Sequence, residues 1–256
     1  MSKLSGAYYE INHMNMVAEK DQWVNQIHPL VKLVLTILYI ADVVSFSKYN
    51  IAGILMMGIY PIIVFMLGEV SWKDSIRRLR VVLPVVCLLG LFNPFFDRQV
   101  VLYLGKFPVT SGMFSMVTLM IKGILTVLAT YLLIATTTIE KICYALRIVH
   151  VPAVLVTQVL LTYRYISVLL KEANTMMQAY ALRAPGQKGI HFKVWGPLAG
   201  QLLLRSIDRA GTVYSSMVLR GYRGEFYFED RGKCGRKDYC YLVVWLVVFF
   251  AIRVVL

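Results

Sequence analysis

Two arginines at the ends of amphipathic stretches carry the clearest chemistry in this sequence. Each follows a leucine and precedes a small residue, in Leu182-Arg183-Ala184 and in Leu219-Arg220-Gly221. Helix-breaking residues come next, so each guanidinium is predicted to lie at the end of a helix. An arginine there can complement the negative end of the helix dipole, an effect of about 0.3–1 kcal/mol. It can also bind a carboxylate through two parallel hydrogen bonds, and two such ends indicate two equivalent acceptor sites on a partner.

Other groups that could catalyse a reaction or bind a metal are scattered along the sequence. The four histidines are far apart, and we predict no metal site. The sequence contains no Gly-x-x-x-x-Gly-Lys-Ser/Thr loop, so this chain is not expected to hydrolyse ATP. The 14 acidic residues are dispersed, without a paired-carboxylate or triad arrangement. We therefore predict a non-enzymatic protein without a cofactor of its own.

The elements that position the two arginines belong to a membrane protein. The chain of 256 residues is 58% hydrophobic and only 16% charged, which favours a bilayer over a soluble domain. The first 29 residues lack the pattern of a cleaved signal peptide. Because about 20 apolar residues cross a bilayer, we predict an all-α protein with about five transmembrane helices. The five apolar runs are 30–46, 51–68, 79–96, 112–139 and 239–256.

Charge divides the chain into four regions. These are a lead-in at 1–29, membrane helices at 30–137, a coupling-helix segment at 138–238 and a last membrane helix at 239–256. The third region holds 15 of the 27 Lys and Arg residues, so the positive-inside rule places it and the N-terminus in the cytoplasm. Within it, the apolar run 151–163 is short for a span and indicates a packed or interfacial helix. The segment 97–111 predicts either a hairpin or a re-entrant piece.

Two charges fall inside the predicted spans, Asp42 in the first and Lys122 in the fourth. At about 1.5 Å per residue, both lie near the middle of a hydrocarbon core about 30 Å thick. An isolated charge there is costly, so one hypothesis is that the two side chains pair across the helices. The alternative is that each reaches the membrane surface or a water-lined face independently.

The chain resembles the transmembrane T component of energy-coupling factor (ECF) transporters, and within that family the cobalt and nickel branch. The resemblance rests on the polar lead-in, the opening of the first span at 27–33, its Ser45-Phe46-Ser47 end and the two arginine motifs. The family often has Ala before the arginine, where this chain has Leu182 and Leu219.

The resemblance implies that Arg183 and Arg220 end two long amphipathic coupling helices. Each arginine would enter a groove on one of two cytoplasmic ATPase subunits, which hydrolyse the ATP. The helices would also cradle a substrate-binding membrane subunit. The implied function is energy coupling in an importer of the prokaryotic plasma membrane, for cobalt or nickel ions.

Three other functions stay open at this stage. The same architecture would serve a vitamin importer. A stand-alone cation channel or secondary transporter would need ionisable groups along a membrane pathway, where this chain offers Asp42 and Lys122. A membrane enzyme is disfavoured by the dispersed acids. Nucleic acid is not an expected partner, because membrane topology accounts for the basic charge.

Overall fold

The computed structural model describes residue 6 and residues 22–47, 50–68, 71–96, 100–104, 107–186, 191–226 and 234–255. Long helices dominate these ranges, which confirms the prediction of an all-α membrane protein, with one small hairpin added. The helices are α1 (Trp23–Gln26), α2 (Pro29–Ser45), α3 (Ile51–Met57), α4 (Ile59–Leu67), α5 (Trp72–Phe96), α6 (Ser111–Thr136), α7 (Ile139–Ile148), α8 (Ala153–Arg183), α9 (Phe192–Leu219) and α10 (Arg236–Val255).

The segment that the sequence left open forms an antiparallel hairpin. Strand β1 (Val100–Leu104) pairs with β2 (Phe107–Thr110), and the register slips by one residue near the open end of the hairpin. The hairpin connects α5 to α6, which pack against each other. A side chain at Gly123 of α6 would meet Val86 of α5 at 3.0 Å, so the glycine permits this close approach.

The predicted second span is divided into α3 and α4 at Gly58. Pro61 has no N–H to give to the carbonyl of Met57, so the regular helical ladder is interrupted there. The Tyr39 hydroxyl donates to that carbonyl instead, at 3.1 Å. A side chain from α2 thus satisfies a buried backbone acceptor that the proline leaves without its usual donor.

Three described helices are long and apolar enough to cross a membrane: Ser111–Thr136, Ala153–Arg183 and Arg236–Val255, and Ile51–Leu67 is a shorter apolar stretch. The second of these differs from the sequence-based expectation of a short helix at 151–163. The apolar run does not end at Arg164, because α8 continues for 31 residues as one helix. Its apolar N-terminal half and its polar C-terminal half therefore form one rod.

The chain divides into two compact units. The core unit comprises residues 17–138 and 232–256, and the arm unit contains residues 139–231. In the core unit, aromatic rings of α2, α4 and α10 pack together around Tyr60, with ring centroids 4.7 Å away at Tyr39 and 4.8 Å away at Trp245. Phe249 completes this cluster. The core unit therefore buries its own aromatic side chains, which dominate the energetics of such packing.

Candidate functional site

The arm unit is built on α8 and α9, which pass each other in opposite directions. An ion pair between Arg205 of α9 and Glu172 of α8 joins the two helices. Nearer the start of α8, Arg164 and its neighbours share a pocket with the last turns of α9 and the residues after it. The C-terminal end of α9 therefore lies beside the first half of α8.

The two predicted helix ends are present. Helix α8 ends at Arg183 and α9 ends at Leu219, with Arg220 as its C-terminal cap residue. The two arginines lie far apart, because the helix from Arg164 to Arg183 rises about 28 Å at about 1.5 Å per residue.

The end of α9 is closed by a complete Schellman motif. Gly221 has a φ of +85°, and its N–H donates to the carbonyl of Val218 at 2.9 Å. The N–H of Tyr222 donates to the carbonyl of Met217, also at 2.9 Å. These two bonds satisfy carbonyls that the helix leaves without partners, and the left-handed residue between them is one that glycine adopts without strain. The backbone position of Arg220 is therefore fixed.

The end of α8 is closed in another way. The N–H of Ala184 donates to the carbonyl of Tyr180 at 3.1 Å, which continues the helical pattern by one residue. Pro185 then cannot continue the helix, and Gly186 turns the chain with a φ of +97°. Arg183 thus lies on the last helical turn itself, whereas Arg220 lies in the cap.

Each arginine directly follows a leucine whose side chain is largely exposed. Leu182 is 83% exposed and Leu219 is 88% exposed, and both arginine side chains are exposed as well. Among the residues that the structure describes, neither guanidinium has a hydrogen bond or ion-pair partner. Arginine is enriched at protein–protein interfaces and among the residues that contribute most to binding.

The arm unit buries very little of its own surface. Helix α9 contains no buried residue, and only Val156 and Thr157 are buried in α8. Helix α9 exposes a stripe of large apolar side chains at helical spacing, here called the α9 stripe: Phe192, Trp195, Leu203, Ile207, Tyr214 and Val218. A continuous apolar face of this kind marks an interaction surface.

The hypothesis of an Asp42–Lys122 pair is wrong. Asp42 instead accepts a hydrogen bond from Nη1 of Arg253 at 3.0 Å, and the same guanidinium donates to Ser45 through Nη2 at 3.0 Å. Asp42 and Lys122 were predicted to lie at similar depths in the bilayer, but the fold places Arg253 of α10 beside the end of α2. This contact spans most of the sequence, so spacing gave no signal for it.

Lys122 instead binds the end of α2. Its Nζ donates to the carbonyls of Val44 at 2.9 Å and Phe46 at 2.6 Å. The last carbonyls of a helix have no intrahelical donor, so a lysine there supplies both hydrogen bonds and a favourable charge.

A second lysine, Lys32, also caps the C-terminal end of another helix, and this role was not predicted from the sequence. Lys32 of α2 is only 5% exposed, and its Nζ donates to the carbonyl of Thr136, the last residue of α6, at 2.9 Å. Helices α2 and α6 thus cap each other's C-terminal ends. A lysine in the first turn of an apolar span was the available signal, since a buried cation requires partners.

Metal-ligating groups do not cluster in the described ranges, where no three His, Cys, Asp or Glu side chains come together. One of the four histidines, His13, lies outside the described residues. In the arm unit, Cys143 is fully buried, and this burial, with the nearby Glu140 carboxylate, raises the pKa of its thiol. Such a thiol is a packing group rather than a nucleophile or ligand.

Comparison with known proteins covers most of the chain. A family model described as CbiQ, cobalt transport protein, matches residues 20–229. The energy-coupling factor transporter transmembrane protein EcfT of Listeria innocua is 25% identical over 80% of this chain and 82% of its own length. The EcfT protein of Thermosediminibacter oceani is 26% identical over 78% of this chain and 80% of its own length. The nickel permease LarQ of Lactiplantibacillus plantarum is 25% identical over 45% of this chain and 44% of its own length.

Proposed function

The chain belongs to the CbiQ family of cobalt transport proteins, and from that premise we propose that it is the energy-coupling transmembrane subunit of an ECF-type importer. In this role it binds two cytoplasmic ATPase subunits and one substrate-binding membrane subunit. It holds no nucleotide and catalyses no reaction, and its partners hydrolyse the ATP. The names of the EcfT relatives support this assignment.

The observation that carries the proposal is the pair of exposed Leu-Arg helix ends. A planar guanidinium binds a carboxylate with two parallel hydrogen bonds, and the adjacent leucine fills an apolar groove. Leu182 is the most exposed large apolar residue of α8, and Leu219 is as exposed as Phe192, the other most exposed one of α9. Two separated ends of one chemistry suit two copies of one kind of acceptor, such as a pair of ATPase subunits.

The α9 stripe supports the proposal that the second partner is a substrate-binding membrane subunit. Its apolar side chains extend along the helix from Phe192 to Val218, and the arm unit does not cover them. A substrate-binding membrane subunit presents an apolar helical surface, which would bury this stripe. Because Leu219 and Arg220 immediately follow the stripe, one helix would contact both classes of partner.

Rigid helices would transmit ATPase motion between these partners. Helix α8 has 31 residues and α9 has 28, and the Arg205–Glu172 pair joins them across their crossing. A second pair, between Arg147 and Glu225 at 2.6 Å, joins α7 to the segment after α9. A displacement of either arginine end would therefore move the α9 stripe with it.

We propose cobalt or nickel as the substrate. The family description names cobalt transport, and one relative is named a nickel permease. The EcfT relatives name no substrate, and a vitamin importer of the same architecture is the alternative. We further propose the prokaryotic plasma membrane as the location, with the N-terminus in the cytoplasm, because basic residues concentrate in 71–80 and 138–238.

Uptake by proteoliposomes tests the proposed function. We expect ATP-dependent cobalt or nickel uptake when the chain is reconstituted with its ATPase and substrate-binding subunits. The chain alone should transport neither ion at any ATP concentration. Rapid uptake by the chain alone would contradict the proposal and favour a stand-alone channel or secondary transporter.

A further inference from the structure

A pocket in the arm unit includes Arg220 of the coupling end, but the proposed coupling function gives no role to its other residues. It lies between α8, α9 and the segment that follows α9, and its volume is about 680 Å³. This volume is within the range of sites that hold a small molecule or a lipid headgroup. We call it the arginine pocket, after the three side chains that dominate its charge: Arg164, Arg209 and Arg220.

The positive charge of the arginine pocket is not neutralised by the described residues. The one acidic side chain in its lining, Glu225, is already bound by Arg147 at 2.6 Å. None of the three arginines has an ion-pair partner within the part of the chain that the structure describes. Three arginines line one cavity, and guanidinium groups favour an anion with several acceptor oxygens, of which a phosphate is the usual example.

The remaining walls of the arginine pocket are mainly aromatic and aliphatic, with Thr212 and Ser216 among them. Leu161 and Tyr165 line it from α8, Val213 and Met217 line it from α9, and Tyr222 lines it from the segment after α9. A soluble inorganic ion would gain nothing from these side chains. A ligand with a charged head and an apolar body would contact both kinds of wall.

The position of the pocket along α8 also favours a lipid. Residues 153–163 of this helix are apolar, and its first charged residue is Arg164, at the pocket. A change from apolar to basic and aromatic residues is typical of the level at which lipid headgroups lie. Basic pockets between helices on the cytoplasmic side commonly bind anionic headgroups.

We propose that the arginine pocket binds the phosphate of an anionic phospholipid, such as phosphatidylglycerol. Arg164 and Arg209 bind the phosphate oxygens, and the apolar walls contact the glycerol and the first acyl carbons. Arg220 belongs both to this site and to the coupling end. Lipid binding would therefore hold in place the face of α9 that carries Arg220. The proposal stands on the pocket alone and does not depend on the proposed ATPase partners.

Titration of short-chain lipids into the purified full-length chain in neutral detergent tests this site by calorimetry. The probes are dioctanoyl phosphatidylglycerol, dioctanoyl phosphatidylcholine and inorganic phosphate. The test variant is Arg164→Gln/Arg209→Gln, which leaves the coupling residue Arg220 in place. The control is Lys193→Gln, which removes an exposed cation from the other end of α9.

We expect one equivalent of phosphatidylglycerol to bind the wild-type chain, and the double variant to bind it about 20-fold more weakly. The control should bind as the wild type does, and phosphatidylcholine should bind weakly or not at all. Equal binding of inorganic phosphate and phosphatidylglycerol would overturn the lipid in favour of a free anion. Unchanged lipid binding by the double variant, with loss of ATPase copurification, would overturn it in favour of an acidic protein segment.

Discussion

The ends of α8 and α9 present the same two side chains, but the backbone closes each helix in a different way. Both show an exposed leucine followed by an exposed arginine. At α9, two backbone hydrogen bonds and a left-handed Gly221 hold the arginine in a closed cap beside the arginine pocket. At α8, the arginine lies on the last helical turn, and Ala184 and Pro185 follow it. The two ends therefore share the side chains that a partner would contact, and they differ in the backbone that positions these side chains.

Reversing the charge of either arginine should have the largest effect. In Arg183→Glu or Arg220→Glu, the proposed acceptor carboxylate on the ATPase would face a second carboxylate. We expect affinity for the ATPase subunits to fall on the order of a hundredfold or more. Surface plasmon resonance of the ATPases on the immobilised chain measures this, with Lys193→Glu as the control for net charge. An effect at one end only would show that the two ends are not equivalent.

Truncating the leucines should have a smaller effect. Leu182→Ala or Leu219→Ala removes apolar area that is exposed in the free chain and would be buried in the proposed complex. We expect ATPase affinity to fall about tenfold with no change in the thermal stability of the chain alone. Leu204→Ala is the matched control, since Leu204 is an exposed leucine of α9 outside both ends. Loss of stability without loss of affinity would make these leucines structural.

Substitution of Gly221 or Gly186 by alanine tests how the backbone after each helix end positions its arginine. At Gly221 there is open space for a side chain, so Gly221→Ala adds only the left-handed backbone strain of about 1–2 kcal/mol. Because Gly221 closes the cap that holds Arg220, ATPase affinity should fall about fivefold. Gly186→Ala carries similar strain but lies beyond the last helical turn, so affinity should change less than about twofold. Equal effects at both glycines would contradict the difference in support.

The helix ends could be predicted from the sequence because their causes are local. Pro185, Gly186 and Gly221 stop the two helices within three residues of the arginines. The apolar runs likewise predicted most helices, because a bilayer requires long apolar segments. The two arginine motifs thus came from residue type and spacing alone.

Contacts between distant segments could not be predicted in this way. Arg253 binds Asp42 across most of the chain, and Lys32 and Lys122 cap helices to which they do not belong. The arginine pocket forms only when α9 returns alongside α8. The sequence predicted helical structure on both sides of Arg164, but not that the two parts form one helix, because a single charge after an apolar run does not show whether the backbone hydrogen bonds continue.

The most direct test of the coupling role is copurification of the ATPase subunits with the chain, in wild type and in the double variant Arg183→Glu/Arg220→Glu. Both samples are first shown to insert in the membrane and to have the same helical content by circular dichroism. We predict that wild type and Lys193→Glu retain both ATPase subunits, whereas the double variant retains neither. A double variant that keeps the ATPase subunits in full would contradict the assignment of these two helix ends as the coupling site.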